Sequence, residues 1–317
     1  MIRAKLLASL FALALVSCGG KRAPLSSEGH WRAKAPAGKL DLLAVDFVDA
    51  QTGWAVGDID PAGSGGAIFR TGDGGASWQP IARTTEVLAA VHFINRSEGW
   101  AAGYAGRISR TSDGGQTWTN QRVEREGEVL NSIFFIDAEQ GWVAGGAGLV
   151  LRTLNGGATW DAAPTRRVED LWCVRFASRD RGWIAGDDGL VLATTDGGNS
   201  WTPQQSGIKR ALYGIAVSET GLAVVTGEGG TIVRSADGVT WERVESGTSE
   251  TLNAVSLAGK ETLWAVASKG VTLGSTDGGR TWSAIKPVSS ADLLSVDVIS
   301  ASRGAAVGRR GAVQVLE

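Results

Sequence analysis

The chain has 317 residues, and 31 Lys or Arg against 33 Asp or Glu give it a formal charge of −2. With a pI near 5.9 it offers no electrostatic attraction for nucleic acid, so we exclude that class of partner. Its 45 glycines follow a regular spacing along the chain, and no Gly-rich phosphate-binding loop stands out from that spacing.

The first 17 residues have the pattern of a signal peptide. Arg3 and Lys5 supply the positive start, and the apolar run 6–16 is too short to span a bilayer. The segment LVSC (15–18) resembles the lipobox of bacterial lipoproteins, which implies cleavage before Cys18 and lipidation of this cysteine. Several acyl chains on one residue would anchor the protein stably. An ordinary signal peptide followed by a fortuitous cysteine is the alternative.

Residues 18–30 are polar and rich in Gly, Pro and Ser, which predicts a flexible tether behind the lipidated cysteine. We therefore expect a lipid-anchored monomer in the cell envelope, facing the periplasm or the cell exterior. Cys173 is the only other cysteine, so lipidation of Cys18 leaves it without a disulfide partner. Its place in an apolar run favours a small buried residue rather than a nucleophile.

A block of about eight residues ending in tryptophan recurs along the rest of the chain. The first two copies read TGDGGASW (71–78) and TSDGGQTW (111–118), and the tryptophans step by 40, 42, 41, 40 and 41 residues. A period of this length with strand-like content is typical of a β-propeller. The tryptophans that end the blocks are Trp78, Trp118, Trp160, Trp201, Trp241 and Trp282.

Each repeat contains three further runs before the tryptophan strand: an apolar run, a Gly-Trp run and another apolar run. Val, Ile, Phe and Trp in the runs, with Gly and Asp at the joints, predict four short strands connected by hairpin turns. Seven first strands are predicted to begin near Leu42, Leu88, Leu130, Leu171, Leu212, Leu252 and Leu293.

Only six blocks accompany the seven first strands, because the seventh repeat ends after its third strand. Trp31 lies 11 residues before Leu42, as Trp282 lies 11 residues before Leu293, and the 287 residues from Trp31 onward are seven times 41. The sequence therefore predicts an all-β, seven-bladed propeller of four-stranded blades over residues 31–317. The strand around Trp31 completes the last blade, and closure of this kind protects strand edges.

The block pattern Ser/Thr-x-Asp-Gly-Gly-x-Thr-Trp resembles the Asp box of sialidase-type and related propellers. Its carboxylate can accept hydrogen bonds from its own turn, its glycines permit positive φ, and its tryptophan covers the turn. Calcium binding is the alternative, but calcium takes roughly six to eight oxygen ligands, and each box offers one carboxylate. We predict a structural role, without metal, for Asp73, Asp113, Asn155, Asp196, Asp237 and Asp277.

Because sialidases share the Asp box, an enzyme is the second hypothesis. As a family they use a tyrosine nucleophile paired with a glutamate, three arginines and an aspartate. Tyr213 with Glu228 is the one pair that merits consideration, and no sialidase-type arginine motif is recognisable. Four repeated arginines share one position on the third strands, which favours surface or inter-blade roles. They are Arg70, Arg110, Arg152 and Arg234.

Four carboxylates occupy equivalent turns of different blades and could converge as a glycosidase pair, although such side chains are usually just solvated. These are Asp58, Asp187, Asp188 and Glu228. His30 and His92 are far apart and give little support for a metal site or a catalytic triad. We therefore expect a protein without catalytic residues, cofactor or metal, with a glycan-binding module or sialidase-like hydrolase as the alternative.

The turns between second and third strands and the connections between blades share one face of a propeller. Seven cations on this face are candidates for binding a partner, since a rigid ring presents loops well, although acidic neighbours also fit a plain solubility role. The candidates are Arg166, Arg167, Lys209, Arg210, Lys269, Arg309 and Arg310.

The whole repeat, Leu-x-x-Val-x-Phe…Gly-Trp-Ala-Val-Gly…Ile-x-Arg-Thr-x-Asp-Gly-Gly-x-Thr-Trp, resembles the photosystem II stability/assembly factor family over residues 31–317. The resemblance implies a non-catalytic, membrane-associated ring that holds a membrane-protein subunit during assembly. Members of the family have an arginine-rich patch, which does not map residue by residue onto this chain. A passive envelope protein that binds peptidoglycan or another lipoprotein is a third hypothesis.

Overall fold

The structure, a computed structural model, describes residues 30–34, 40–58, 65–123 and 128–317. The predicted signal peptide (1–17), the lipidation site Cys18 and the tether up to residue 29 lie outside these residues, so they stay predictions. Among the described residues, no helix has the length and apolar character needed to cross a membrane.

The regular structure of the described residues consists of short strands and single 3-10 turns. Those of the closing segment and blades 1–3 are β1 (Trp31–Ala33), β2 (Leu42–Phe47), β3 (Gly53–Asp58), β4 (Gly66–Thr71), β5 (Gln79–Thr84), β6 (Leu88–Phe93), β7 (Gly99–Gly103), β8 (Arg107–Thr111), β9 (Thr119–Arg122), β10 (Leu130–Phe135), β11 (Gly141–Gly145), β12 (Val150–Thr153) and β13 (Asp161–Ala162). Those of blades 4–7 are β14 (Leu171–Phe176), β15 (Gly182–Gly186), β16 (Val191–Thr194), β17 (Thr202–Gln204), β18 (Leu212–Val217), β19 (Ala223–Gly227), β20 (Thr231–Ser235), β21 (Glu242–Val244), β22 (Leu252–Ala258), β23 (Thr262–Ala267), β24 (Thr272–Ser275), β25 (Ser283–Ile285), β26 (Leu293–Ser300), β27 (Arg303–Gly308) and β28 (Val313–Leu316).

Single 3-10 turns join the second and third strands of blades 2–7. They span Tyr104–Gly106, Gly146–Gly148, Asp187–Gly189, Glu228–Gly230, Ser268–Gly270 and Arg309–Gly311.

The strands form seven antiparallel four-stranded sheets, which are the seven predicted blades. Six sheets use four consecutive strands, and the seventh has the order β1-β28-β27-β26. Trp31 pairs with Leu316 and Ala33 with Gln314. The backbones of His30 and Glu317 exchange two hydrogen bonds of 2.8 and 3.1 Å. The predicted closure by the N-terminal strand is therefore confirmed, and each first strand begins at its predicted leucine.

The core lies between neighbouring blades, where the tryptophan of one second strand stacks on the phenylalanine that ends the next first strand. Trp142 and Phe176 stack with ring centroids 3.4 Å apart and planes 11° apart. This stacking explains the glycine of the Gly-Trp motif. A Cβ on Gly141 would come within 2.5 Å of the Phe135 ring. Glycine therefore stands wherever a phenylalanine ring crosses the start of a second strand.

The same tryptophans link blades by hydrogen bonds to the Asp boxes. The Trp54 indole N–H donates to the Gly114 carbonyl of the next blade over 3.0 Å. Equivalent bonds of 3.0, 3.0 and 2.8 Å join blades 2–3, 3–4 and 4–5. In blade 5, Val224 takes the tryptophan position, and Arg234 Nε donates to the carbonyl of Gly278 instead. These bonds therefore join the Asp boxes of blades 2 to 6 to the preceding blade.

Blade 7 is the exception because it has no Asp box. Trp264 of blade 6 has a buried indole nitrogen without a hydrogen-bond partner in the described residues. Its ring instead meets Trp31 edge-on at 5.6 Å. First-strand side chains bridge the two junctions of blade 7, where Asp297 and Ser295 accept N–H groups of blade 1 and Ser256 accepts one from blade 7. Bonds of this kind also join blades 1–2 and 3–4 along the channel, so the junctions of blade 7 share them and differ in lacking the indole bond.

Candidate functional site

The ring has two faces with different chemistry. On one face, which we call the lower face, the Asp boxes meet the turns between first and second strands, as where Gly114 N–H donates to Ser97 O over 2.9 Å. On the other, the upper face, the turns between second and third strands meet the connections between blades. There Gly148 N–H donates to Glu169 O over 2.9 Å. The upper face also surrounds the mouth of the central channel.

Hydrogen bonds within the turn hold each Asp box of the lower face. In blade 2, Asp113 Oδ1 accepts the Thr111 hydroxyl at 2.8 Å and the Thr117 N–H at 2.9 Å, while Oδ2 accepts the Thr117 hydroxyl at 2.6 Å. These bonds, foremost that of the Thr117 hydroxyl, lower the pKa of Asp113 to about 2. Asn155 accepts the first two corresponding bonds through its amide oxygen, and its amide nitrogen donates to the Thr159 hydroxyl. Asp73, Asp196, Asp237 and Asp277 accept them in their own boxes.

The seven candidate cations lie on the upper face, spread over the connections and turns of blades 3 to 7. Four have partners there: Arg167 pairs with Glu169, Lys269 with Glu250 over 2.9 Å, and Arg309 with Asp41 over 2.9 Å, while Arg210 reaches the Gly229 carbonyl. The described residues offer no side-chain hydrogen bond or ion pair to Arg166, Lys209 or Arg310. Their role in binding a partner stays a prediction.

Three of the four turn carboxylates converge, and the fourth does not. A depression of about 520 Å³ between blades 4 and 5, here called the acidic hollow, is lined by Val168, Glu169, Asp170, Asp187, Asp188, Lys209, Ala211 and Glu228. Asp58 lies instead in a separate depression with Tyr104 and Arg309. Asp187, Asp188 and Glu228 meet because their turns belong to the adjacent blades 4 and 5, whereas Asp58 belongs to blade 1.

Two aromatic side chains adjoin the acidic hollow in the wall of the channel. Trp172 and Tyr213 lie at irregularities in the register of β14 and β18, and both line a channel cavity of about 480 Å³. Their rings meet edge-on, with centroids 5.5 Å apart and planes at 72°. The Trp172 indole N–H donates to Asp187 Oδ1 over 2.7 Å. This bond joins the aromatic pair to the acidic hollow.

Burial, then the carboxylates of Glu228 and Asp187, raise the pKa of Tyr213 above its usual value. A tyrosine nucleophile would need the opposite shift, because the phenolate is the reactive form. Trp172 was recognisable in the sequence as the tryptophan outside the repeat. Its hydrogen bond to Asp187 was not, because it depends on the orientation of both side chains.

Deeper in the channel lies a group of titratable side chains, of which the sequence pattern singled out His92 alone. Asp297 accepts the Phe47 N–H at 2.7 Å, and Asp46 accepts the Phe93 N–H at 2.7 Å. Burial, followed by repulsion from Asp46, raises the pKa of Asp297 to about 6. His92 lies between Asp46 Oδ1, at 3.3 Å, and the Phe135 carbonyl. Polar residues at the fifth position of otherwise apolar first strands were the available signal.

No group of three or more His, Cys, Asp or Glu side chains among the described residues has the geometry of a metal site. Cys173 is a buried free cysteine in the core between blades 4 and 5.

Comparisons with known proteins agree with the fold and the repeat. A family model described as photosynthesis system II assembly factor YCF48 matches residues 24–125 and 81–167, and one described as DUF6242 beta propeller domain matches 178–301. A search of curated protein sequences finds no match. The resemblance to the photosystem II assembly factor-like propellers that the repeat predicted is confirmed.

Solved structures similar to the chain include two YCF48 proteins. "YCF48 bound to D1 peptide" is 20% identical with a TM-score of 0.74, and covers 90% of this chain and 96% of that one. YCF48 from Cyanidioschyzon merolae is 21% identical with a TM-score of 0.72, covering 90% and 98%. A GH74 xyloglucanase from Xanthomonas campestris is 15% identical with a TM-score of 0.69, covering 90% and 53%. At these identities the likeness shows the fold alone.

Proposed function

We propose, from the resemblance to the photosystem II assembly factor-like propellers, that this chain is a non-catalytic ring that binds a protein partner through its upper face. The partner is a membrane-protein subunit or another envelope protein. Lipidation at Cys18 would hold the ring, as a monomer, on the extracytoplasmic side of a membrane. The tether would let the upper face reach a partner in or near that membrane.

The upper face supports this proposal through its exposed apolar residues. The Val168 side chain is 84% exposed and that of Tyr104 is 47% exposed. Each lies at the rim of a depression on this face. Because a rigid ring holds both at fixed positions beside the channel mouth, they can bury apolar surface on a partner at little cost in conformational entropy. A YCF48 structure with a bound D1 peptide shows that a propeller of this fold can hold a peptide.

The proposal is tested by photo-crosslinking from defined positions of the full chain in its own membranes. A photoreactive amino acid replaces Val168 on the upper face or Val239, 64% exposed, in the Asp box of blade 5. We expect one dominant protein crosslinked from position 168 and absent from position 239. Equal products from both positions, or no protein product from either, would contradict the proposal.

Glycan binding is the second candidate, and one observation favours it. A carboxylate group beside an aromatic pair at a channel mouth is an arrangement that stacks and hydrogen-bonds sugars. Hydrolysis by Tyr213 is less well supported, since the pKa of its phenol is raised. Binding of cellohexaose or a xyloglucan oligosaccharide to the purified chain, lost in Trp172→Ala, would replace the protein-binding proposal.

A further inference from the structure

The aromatic pair Trp172 and Tyr213 occupies a position that packing between blades does not require. The same position of the other first strands holds residues of varied size and polarity: Leu43, Ala89, Asn131, Asn253 and Leu294. Trp172 and Tyr213 are half-buried, and both remain accessible from the channel. Two adjacent aromatic rings in a channel wall form a surface suited to a flat or cationic group.

The charges beside this pair are unbalanced. Asp187, Asp188 and Glu228 line the acidic hollow, and Lys209 is the cation that lines it with them. Asp187 accepts the Trp172 indole N–H, but no hydrogen bond or ion pair within the described residues satisfies the carboxylates of Asp188 or Glu228. Both side chains are exposed to solvent. The carboxylates of Asp188 and Glu228 would both attract a cation that enters the acidic hollow.

The remaining acidic side chains of the acidic hollow are already used. Glu169 pairs with Arg167, with Oε2 3.1 Å from Nε. Asp170 Oδ1 accepts the Ala147 N–H of the preceding blade at 2.9 Å. These two bonds shape the wall of the acidic hollow. Asp188 and Glu228 are therefore the carboxylates left to recognise a ligand.

An apolar side chain completes the arrangement, because Val168 stands almost fully exposed at the edge of the same hollow. Lys and Arg side chains combine an apolar stem with a charged end. The stem can pack on Val168, and the charged end can contact the two carboxylates and the aromatic rings. An acidic segment would instead meet like charges, which costs binding energy. The Trp172 N–H is already bonded to Asp187, so it is not available to a sugar hydroxyl.

We infer that the acidic hollow and the aromatic pair beside it receive a Lys- or Arg-bearing segment of the protein partner. The inference rests on the proposed function and adds the charge of the bound segment. It also assigns the contact to Asp188, Glu228, Trp172 and Tyr213. The seven cations on the same face would then flank the site, with Arg167, Lys269 and Arg309 held in their ion pairs.

The test uses the purified full chain in detergent, with hepta-lysine, hepta-glutamate and cellohexaose as probes. The variant Asp188→Asn/Glu228→Gln removes both free carboxylates while keeping side-chain size. Its matched control, Asp180→Asn/Glu219→Gln, removes exposed carboxylates from the lower-face turns of the same two blades. We expect hepta-lysine to bind in a salt-sensitive manner, at least tenfold more weakly to the upper-face variant and unchanged to the control.

In the binding test, two results would overturn the inference. One is equal loss of hepta-lysine binding in both variants, and the other is binding of cellohexaose or hepta-glutamate in place of hepta-lysine. Crosslinking from position 168 distinguishes failure of the inference from failure of the proposed function. A partner still captured by the Asp188→Asn/Glu228→Gln variant leaves the proposed function standing and removes the inference. If position 168 captures no protein at all, the proposed function falls first. A captured segment without Lys or Arg near the crosslink also contradicts the inference.

Discussion

The lower and upper faces of the ring are built from equally regular backbone but differ in how their side chains are used. On the lower face, six Asp boxes repeat nearly the same hydrogen bonds, and the Asp or Asn side chain of each box is occupied within its own turn. On the upper face, each turn of blades 2–7 has a residue with φ between 52 and 62°, but its identity changes from blade to blade. These residues are Ala105, Ala147, Asp188, Gly229, Lys269 and Arg310.

The difference teaches where this fold can acquire function. A left-handed position in a short turn is satisfied by backbone hydrogen bonds, so its side chain is free to vary, at a modest strain for residues other than glycine. An Asp-box aspartate has no such freedom, because its carboxylate supplies the hydrogen bonds of the turn. The lower face therefore maintains the ring, and the upper face is available for recognition. Four substitutions, in three experiments, test how the ring is maintained, from the largest expected effect to the smallest.

Trp31→Ala should destabilise the ring most, because Trp31 fills the place where a seventh Asp-box tryptophan would lie. It is 4% exposed and contacts Trp264 edge-on. Truncation of a buried tryptophan typically costs about 3–5 kcal/mol. Chemical unfolding of the full chain measures the loss. A midpoint equal to that of the wild-type chain would mean that the N-terminal strand does not close the ring.

Trp142→Phe should cost more than Trp264→Phe, although both shorten a buried second-strand tryptophan. Trp142 donates to Gly197 O at 3.0 Å, so its loss leaves a carbonyl without its partner. Trp264 has no acceptor, so phenylalanine removes an unpaired buried N–H. We expect a difference in unfolding free energy of about 1–3 kcal/mol. Equal losses, measured by denaturant unfolding, would contradict the role of the bond between indole and carbonyl.

Asp297→Asn should remove a dependence of stability on pH between about pH 4 and 6. The pKa of Asp297 is about 6 in the folded ring, against 3.8 ordinarily, so within this window the folded ring holds a proton that the unfolded chain has lost. Its stabilising contribution is present below pH 4 and is lost as the pH rises through 6. Relative to the variant, the wild-type chain should lose about 2 kcal/mol of unfolding free energy across the window.

The Asp297→Asn variant is the reference for the wild-type chain. Asp46, His92 and Arg175, which face the same channel, are present in both proteins. Asp113 and Asp196, with a pKa of about 2, titrate below this window and contribute stability that is lost as the pH falls below 4. A difference between wild type and Asp297→Asn that is constant from pH 4 to 7 would show that Asp297 is ionised throughout.

The blade count, the first strands and the closing strand could be predicted because each leaves a periodic mark in the sequence. The spacing of Trp282 before Leu293 and of Trp31 before Leu42 was enough to place the last strand. The candidate site could be predicted only in part. That Asp187, Asp188 and Glu228 meet follows from the adjacency of blades 4 and 5, but the hydrogen bond from Trp172 to Asp187 depends on the orientation of both side chains, which no repeat position specifies.

The central claim, that one face maintains the fold and the other binds, is tested most directly by measuring melting temperature and partner capture on the same two variants. Asp188→Asn/Glu228→Gln changes the upper face. Thr194→Val changes the lower face, removing a buried hydroxyl that accepts the Gly198 N–H at 2.9 Å and donates to Asp196. The account predicts an unchanged melting temperature with lost capture from position 168 for the first variant. For the second it predicts a lowered melting temperature, from a loss of about 1–3 kcal/mol, with capture retained below the transition. Loss of capture in the lower-face variant while it is still folded, or a lowered melting temperature of the upper-face variant, would contradict it. Retained capture in the upper-face variant would remove the inferred contact with a Lys- or Arg-bearing segment and leave the proposed function standing.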